Sequence, residues 1–474
     1  MGRLRGRTRQ PPYLRHSGPI ANIYRASLRL QMGSDHRMRL LHQQSARQST
    51  RVTSSLVLVL VGVLASVAVP DARAGTKKDG AGAFSTRHYR NLFAELGHSK
   101  KEISAKIDTA YQQLFHGDPE TQSVAFSAGK NANGPLAYLT DWNNHDVRTE
   151  GMSYGMMISV ELNQKAEFDA LWNWAKTYMY IDDPHHPSYG YFSWSCKTDG
   201  TPNEETAAPD GEEYFVMSLY FAAARWGNGP GIYNYKAQAD QLLTTMRHRE
   251  VITGPTRFGI RSVGNEVDEE RKMIRFVPVV NRSDFTDPSY HLPAFYELWA
   301  RSGPPADREF WAEAAEASRA FLVKTTDPQT GLAPAYANFD GTPHPTRFSQ
   351  STVFGYDSWR TASNWSVDWS WWRKAPQEQQ LSDRIQMFFR AQGLSTYGDV
   401  YTLAGKELSS RHSTGLLATN AVASLAATDA TAKDFVQALW AAPVPSGQLR
   451  YYDGMLYLLS LLHCSGQFRI WTPR

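Results

Sequence analysis

A carboxylate at the head of an almost uncharged stretch is placed to donate a proton. Asp146-Val-Arg-Thr-Glu-Gly-Met-Ser-Tyr-Gly-Met-Met-Ile carries Glu150 among small and apolar residues where a helix begins. Burial favours the neutral form of a carboxyl, which a general acid near neutral pH requires. The same residue could instead only complement the helix dipole. Three more carboxylates stand at comparable places. Asp210, with Glu213 three residues on, reads either as a capping box with Asp in the Ser/Thr position or as a site residue. Asp287 precedes Pro288, the pattern of a helix cap followed by proline at the first helical position. Asp357 precedes Arg360 by three residues, so it either forms a surface ion pair or has a catalytic use.

The elements that must position them are helices of two kinds. The helix after Glu150 is apolar nearly all round, whereas Ala166–Met179 is apolar on one face only, with Phe168, Leu171, Trp172, Ala175 and Met179. The first kind is buried on every side and the second has a wet face. The alternation repeats in 212–226 and 235–246, 288–300 and 308–324, 357–372 and 376–390, and 414–427 and 432–442, with 451–463 last. The striped segment 100–115 precedes them and supplies the first outer helix. Six inner and six outer helices predict an all-α (α/α)6 barrel. Successive inner helices then run in one direction and bring Glu150, Asp210, Asp287, Asp357, His412 and Asp453 to one face. The irregular connections 181–209, 250–286 and 335–356 are long enough to carry function, and the first holds Tyr189, Tyr191, Phe192 and Trp194.

An acidic mouth with aromatic walls suits a carbohydrate, because sugar rings lie on aromatic planes and carboxylates supply acid and base for glycosidic cleavage. Charge excludes a general nucleic-acid binder. Residues 1–51 hold eleven arginines against one acid, Asp35, so the net +4 becomes about −6 without them (4 − 10), whereas nucleic-acid binding calls for a basic face. The apolar run that starts at Leu56 and ends before Ala72-Arg-Ala74 has the length and exit of a signal peptide, with an uncleaved anchor as the alternative. The expected division is a basic extension over 1–51, with Met32 or Met38 as further candidate starts, a signal peptide over 52–74, and one catalytic domain over 75–474. Export to the periplasm or medium follows. Cys196 and Cys464 leave a disulfide and two buried thiols both open. No metal spacing occurs: His185-His186 is an isolated pair, and there is no CxxC or HExxH.

Five segments carry a resemblance. Arg-Thr-Glu-Gly-Met-Ser-Tyr-Gly-Met-Met (148–157), Leu-Trp-Asn-Trp-Ala (171–175), Ala-Pro-Asp-Gly-Glu-Glu-Tyr-Phe (208–215), Ser-Asp-Phe-Thr-Asp-Pro-Ser-Tyr-His-Leu-Pro (283–293) and Tyr-Asp-Ser-Trp-Arg (356–360) resemble glycoside hydrolase family 8. Within that family the chain is most similar to the reducing-end xylose-releasing exo-oligoxylanases, from about residue 85 onward. The resemblance implies an (α/α)6 barrel that hydrolyses β-1,4 bonds with inversion and needs no cofactor. It makes Glu150 the general acid, Asp357 the base and Asp210 the residue that holds the distorted sugar and orients the water. It places Tyr290 near that water and leaves Asp287 as a helix cap.

Arg360 and Trp194 join Tyr290 as expected substrate contacts. In the exo-acting branch an Arg-His loop closes the leaving-group side, and Arg411-His412 stands at that place, followed by Ser413 where that branch carries proline. The expected partner is a xylooligosaccharide substrate, with no nucleic acid, no membrane once the leader is cleaved, and a monomeric chain. An endo-acting xylanase or other β-glycanase is the alternative. A non-catalytic glycan-binding barrel predicts a missing carboxylate, and all three are present. A polysaccharide lyase would want an acidic polymer, which this acidic cleft would repel.

Overall fold

A polar residue just before an apolar helical stripe starts the first long helix. Ser99 accepts from the Glu102 N–H while Glu102 accepts from Ser99, a reciprocal cap that opens α1 (Lys100–His116). A computed structural model describes residues 81–472, so the expected extension and signal peptide lie outside the described residues. Among these, twelve helices are nine residues or longer. After α1 come α2 (Thr149–Leu162), α3 (Lys165–Trp174), α4 (Pro209–Trp226), α5 (Tyr235–His248), α6 (Pro293–Ser302), α7 (Arg308–Thr325), α8 (Arg360–Trp372), α9 (Gln377–Gln392), α10 (Thr414–Val422), α11 (Ala432–Ala441) and α12 (Arg450–Cys464). Even-numbered helices are the inner ones, and the whole is the expected (α/α)6 barrel.

Burial follows the two helix types. In α2 every residue from Gly151 to Glu161 is buried, whereas α1 buries the stripe Ile103, Ile107, Ala110, Tyr111, Leu114 and Phe115. One continuous hydrophobic core runs from Ala83 to Ile470. Cys196 and Cys464 are free and buried. No helix among the described residues is long and apolar enough to cross a membrane.

The boundaries depart from expectation in two informative places. Residues 288–300 were expected as one helix, but Pro288–Tyr290 is a single 3-10 turn and α6 starts anew at Pro293. Pro293 has no N–H for the Ser289 carbonyl, which ends helical continuity. The Asn364 side chain on α8 donates to that carbonyl instead (2.8 Å). The second is α3, which continues as a π-helical turn over Ala175–Met179. Asn173 turns its amide toward Asn131 and the Gly134 and Pro135 carbonyls, and the Thr177 hydroxyl bonds back to the Asn173 carbonyl at 2.7 Å. Side chains inserted in this way commonly open a helix by one residue.

Strands are short and confined to connections. All six pairs among the described residues are two-stranded and antiparallel. One of them matters for the site: Val147 pairs with Cys196 and Arg148 with Ser195, and the Thr149 N–H continues the ladder to the Trp194 carbonyl (2.9 Å). The start of α2 is thereby fixed to the aromatic loop beside it.

Candidate active site

The inner helices present their N-terminal ends to one face, and a single guanidinium joins them there. Arg360, at the start of α8 and 4 % exposed, donates from Nη1 to Glu150 Oε2 (3.2 Å), Asp210 Oδ2 (2.7 Å) and the Tyr154 hydroxyl (2.7 Å). Its Nη2 donates to Ser289 Oγ (2.8 Å) and pairs with Asp357 Oδ1 (3.3 Å). Arg360 is therefore buried among these groups rather than paired at the surface. It is the hub of the cluster.

Each carboxylate sits differently on that hub. The Glu150 side chain is 13 % exposed, and its Oε1 accepts from the Tyr451 hydroxyl of α12 (3.2 Å). Burial pushes its carboxyl up to about 8, against the pull of Arg360 and with added push from Asp210 and Asp357. Asp210 lies in the first turn of α4 rather than at its cap, which is Ala208 with no side-chain bond. The expected capping box is absent, since Asp210 serves Arg360 and Glu213 points to the Tyr296 hydroxyl. Burial raises the Asp210 carboxyl too, with Arg360 opposing. Asp357 is the open member, its side chain 31 % exposed.

The turn that presents Asp357 is strained. Tyr356 has a left-handed backbone, φ 47°, which a bulky residue rarely adopts. Its carbonyl accepts from the Tyr452 hydroxyl (3.3 Å), and its ring, 40 % exposed, stacks on Trp359 at 5.4 Å between centroids. Strain of this kind persists where the surroundings over-determine it, often beside a functional group. Asp287 caps the 3-10 turn through Ser289 N (2.7 Å), as expected of a cap. Its carboxyl is pushed well above the ordinary range by burial and by the nearby Asp357.

The other expected residues are placed as follows. Tyr290 is buried under the hub, with the Arg360 guanidinium 5.8 Å from its ring centre. Trp194 borders the start of α2 and receives the Arg148 guanidinium at 5.6 Å. Arg411 pairs with Asp399 and with Asp453 (3.1 Å) and lies 5.5 Å over Trp359. His412 donates from Nδ1 to the Tyr397 carbonyl (2.8 Å). Glu150, Asp210, Asp357, Arg360 and Tyr290 thus converge, Trp194 lies against Arg148 beside the start of α2, and Arg411 and His412 are held by contacts of their own. The sequence reading missed Tyr154, Tyr451 and Ser289. Tyr154 stands one turn after Glu150 and was within reach of the i, i+4 rule. Among the described residues no group of His, Cys, Asp and Glu has the arrangement of a metal site.

The chain is similar to known proteins over most of its length. The profile of glycosyl hydrolases family 8 matches residues 133–466. A reducing-end xylose-releasing exo-oligoxylanase, Rex8A of Paenibacillus barcinonensis, is 43% identical over 396 residues, covering 83% of this chain and 99% of its own. A reducing end xylose-releasing exo-oligoxylanase of Halalkalibacterium halodurans is 44% identical over 402 residues, 84% and 98% of the two chains. Crystal structures of a family 8 protein from Teredinibacter turnerae, one with xylobiose and one a catalytic mutant xylanase with xylohexaose, superpose at TM-score 0.82 with 53% identity over 83% of this chain and 100% of theirs. With a family model matched over most of the chain and relatives at 43% and 44% identity along nearly their whole length, this twelve-helix barrel belongs to glycoside hydrolase family 8.

Proposed function

We propose that this glycoside hydrolase cleaves β-1,4-xylosidic bonds with inversion and releases single xyloses from the reducing ends of xylooligosaccharides. The observation that carries the chemistry is the unequal treatment of the carboxylates on Arg360: Glu150 is enclosed and inclined to keep a proton, while Asp357 is open to water and ion-paired. Glu150 protonates the glycosidic oxygen as its bond to the anomeric carbon breaks. Asp357 takes a proton from the water that attacks that carbon from the opposite side. The new hydroxyl then has inverted configuration, and Glu150 is left ionised until it recovers a proton. Acid and base reach one guanidinium from different nitrogens, compatible with the roughly 6.5–9.5 Å that leaves room for the water in inverting enzymes. Asp210 holds the sugar at the cleavage point, and Tyr290 lies beside the water.

Release of one xylose needs a rigid wall beyond the leaving sugar. Three consecutive residues pin the candidate wall without a proline: Arg411 to Asp399 and Asp453, His412 to the Tyr397 carbonyl, and Ser413 to Asp453 Oδ1 (2.6 Å). Ser413 also caps α10 by accepting from Leu416 N, so it supplies by hydrogen bonds the stiffness a proline would supply by its ring. A second reading, cleavage within longer chains, is favoured by the 53% identity to the Teredinibacter turnerae protein, whose mutant was captured with xylohexaose. We also propose export of the chain, with residues 75–474 as the mature catalytic domain, on the leader's composition.

The test is a product time course from reduced and unreduced xylotetraose. Xylose and xylotriose from the unreduced sugar alone support the exo reading. Xylobiose from both favours internal cleavage. No cleavage of either sinks the xylosidic reading. Glu150→Ala should lower kcat/KM by about 10²–10⁴-fold, the usual share of a general acid.

A further inference from the structure

The Tyr296 hydroxyl stands between two acceptors, 2.5 Å from Glu213 Oε1 and 3.0 Å from the Tyr290 carbonyl. Glu213 and Tyr296 are 0% exposed. A phenol has one proton to give, and burial, the largest influence on it, keeps that proton on Tyr296 by pushing the group well above its ordinary range. If Glu213 were ionised, its carboxylate and the Tyr290 carbonyl would compete for that single proton. Its second oxygen, Oε2, is buried without a hydrogen-bond partner among the described residues, and an enclosed carboxylate so placed is costly. A proton on Glu213 removes both conflicts. The carboxyl O–H donates to Tyr296 Oη, Tyr296 donates to the Tyr290 carbonyl, and Oε2 remains as a neutral carbonyl oxygen, much cheaper to leave unpaired than a charged one.

We infer that Glu213 is a protonated positioning residue that, through Tyr296, locks the Tyr290 backbone to the helix carrying Asp210. This rests on the assignment of Glu150, Asp210 and Asp357 as the catalytic set. The groups that face Glu213 agree with it. Asp210 on α4 pushes it further up, and its neighbours Glu212 on α4 and Glu266, from the connection before α6, are themselves pushed well above the carboxylate range by burial. Arg360 is the facing cation, and its terminal nitrogens serve Glu150, Asp210, Tyr154, Ser289 and Asp357. Tyr214 on α4 and Tyr296 on α6 are neutral phenols held above their ordinary values by burial. Burial pushes Glu213 itself well above the usual carboxylate range, with the Tyr296 hydrogen bond opposing. The second Glu of Pro-Asp-Gly-Glu-Glu thereby has a use that a capping box does not describe.

Three variants test the chain of donors. Glu213→Gln keeps a neutral donor and should rescue catalysis to within about fivefold of the wild-type kcat. Infrared difference spectra of wild type against Glu213→Gln at neutral pH should contain the C=O stretch of a protonated carboxyl. Glu213→Leu and Tyr296→Phe each cut the chain and should lower kcat by about ten- to a hundredfold with KM much less affected, because alignment rather than binding is lost. Carboxylate stretches in place of the C=O band would overturn the proposal. So would a basic limb of the Glu213→Gln pH profile displaced downward by more than about half a unit, since a lost negative charge would ease ionisation of Glu150. Wild-type kcat in Tyr296→Phe would overturn it as well. The infrared readout needs no turnover, so it stands apart from an enzyme that fails on xylosides, which would count against the proposed substrate instead.

Discussion

Three carboxylates crowded at one barrel mouth would repel one another, and a guanidinium with five N–H donors is the side chain able to serve them together. Arg360 does so from a buried position. Two consequences can be measured. Glu150 acts as a donor, so kcat should fall as pH rises through about 8, the value to which burial lifts it. Arg360 is the chief influence holding that value down. In Arg360→Gln the basic limb should therefore move to higher pH while kcat/KM drops by roughly 10²-fold or more from lost alignment; a limb that moves down would contradict the assignment. The three carboxylates and Arg360 were legible in sequence because each stands in a short motif at a helix start. What could not be read is that Arg360 faces inward, since an Asp and an Arg three residues apart look the same on a wet or a buried helix face. Tyr451, which reaches Glu150 from the last inner helix, has no local signal at all, because only closure of the ring makes it a neighbour.

At the scale of helices, close approach at the mouth depends on two glycines. A Cβ at Gly151 would stand 2.3 Å from the Tyr451 hydroxyl oxygen, and one at Gly211 would stand 2.3 Å from Thr149 Oγ1 and 2.4 Å from its Cβ. The glycines after Glu150 and Asp210 are thus spacers that let α12 and α4 pack against the first turn of α2. Gly151→Ala should drive Tyr451 off Glu150 and lower kcat by at least tenfold, and Gly211→Ala should separate Asp210 from Glu150 with a comparable loss and a lowered Tm, overpacking of this kind costing about 1–3 kcal/mol. Wild-type kinetics in both variants would show that the helices have slack there. The alternation of all-round and one-sided apolar helices made the barrel readable, because an inner helix has no wet face to display. Interruptions were harder to read. Pro293 falls inside an apolar run, and the carbonyl it leaves free at Ser289 is satisfied by Asn364, 71 positions further on, while the π turn after α3 accompanies Asn173 finding a partner in Asn131.

For the whole molecule the question is how a ring of helices closes. At the α1 end, Arg450 donates to the Ser123 and Pro119 carbonyls (both 2.9 Å) and lies 4.0 Å over Trp142, so the start of α12 clasps the connection between α1 and α2. At the opposite end, the segment after α12 returns to the C-terminal turn of α2. Glu161 Oε2 accepts from the Trp471 indole (2.9 Å) and the Arg469 N–H (3.2 Å), Ile470 N donates to the Tyr89 hydroxyl (2.8 Å), and Arg225 covers the Trp471 ring at 4.1 Å. Burial pushes Glu161 up to about 8, against these hydrogen bonds and the two arginines. An unfolded Glu titrates near about 4.3, so the folded value is raised. The stability linked to this group is then complete below the unfolded value and is lost as pH rises through about 8, where the folded chain must ionise an enclosed carboxyl. Glu161→Gln has nothing to ionise. Between about pH 6 and about pH 9.5 the Tm of the wild type should fall more steeply than that of Glu161→Gln, with kcat alike in the two at neutral pH because Glu161 lies at the far end of α2 from Glu150. Parallel Tm curves would mean that closure of the ring does not depend on a proton at this position, and that Glu161 is held ionised by Arg225 and Arg469.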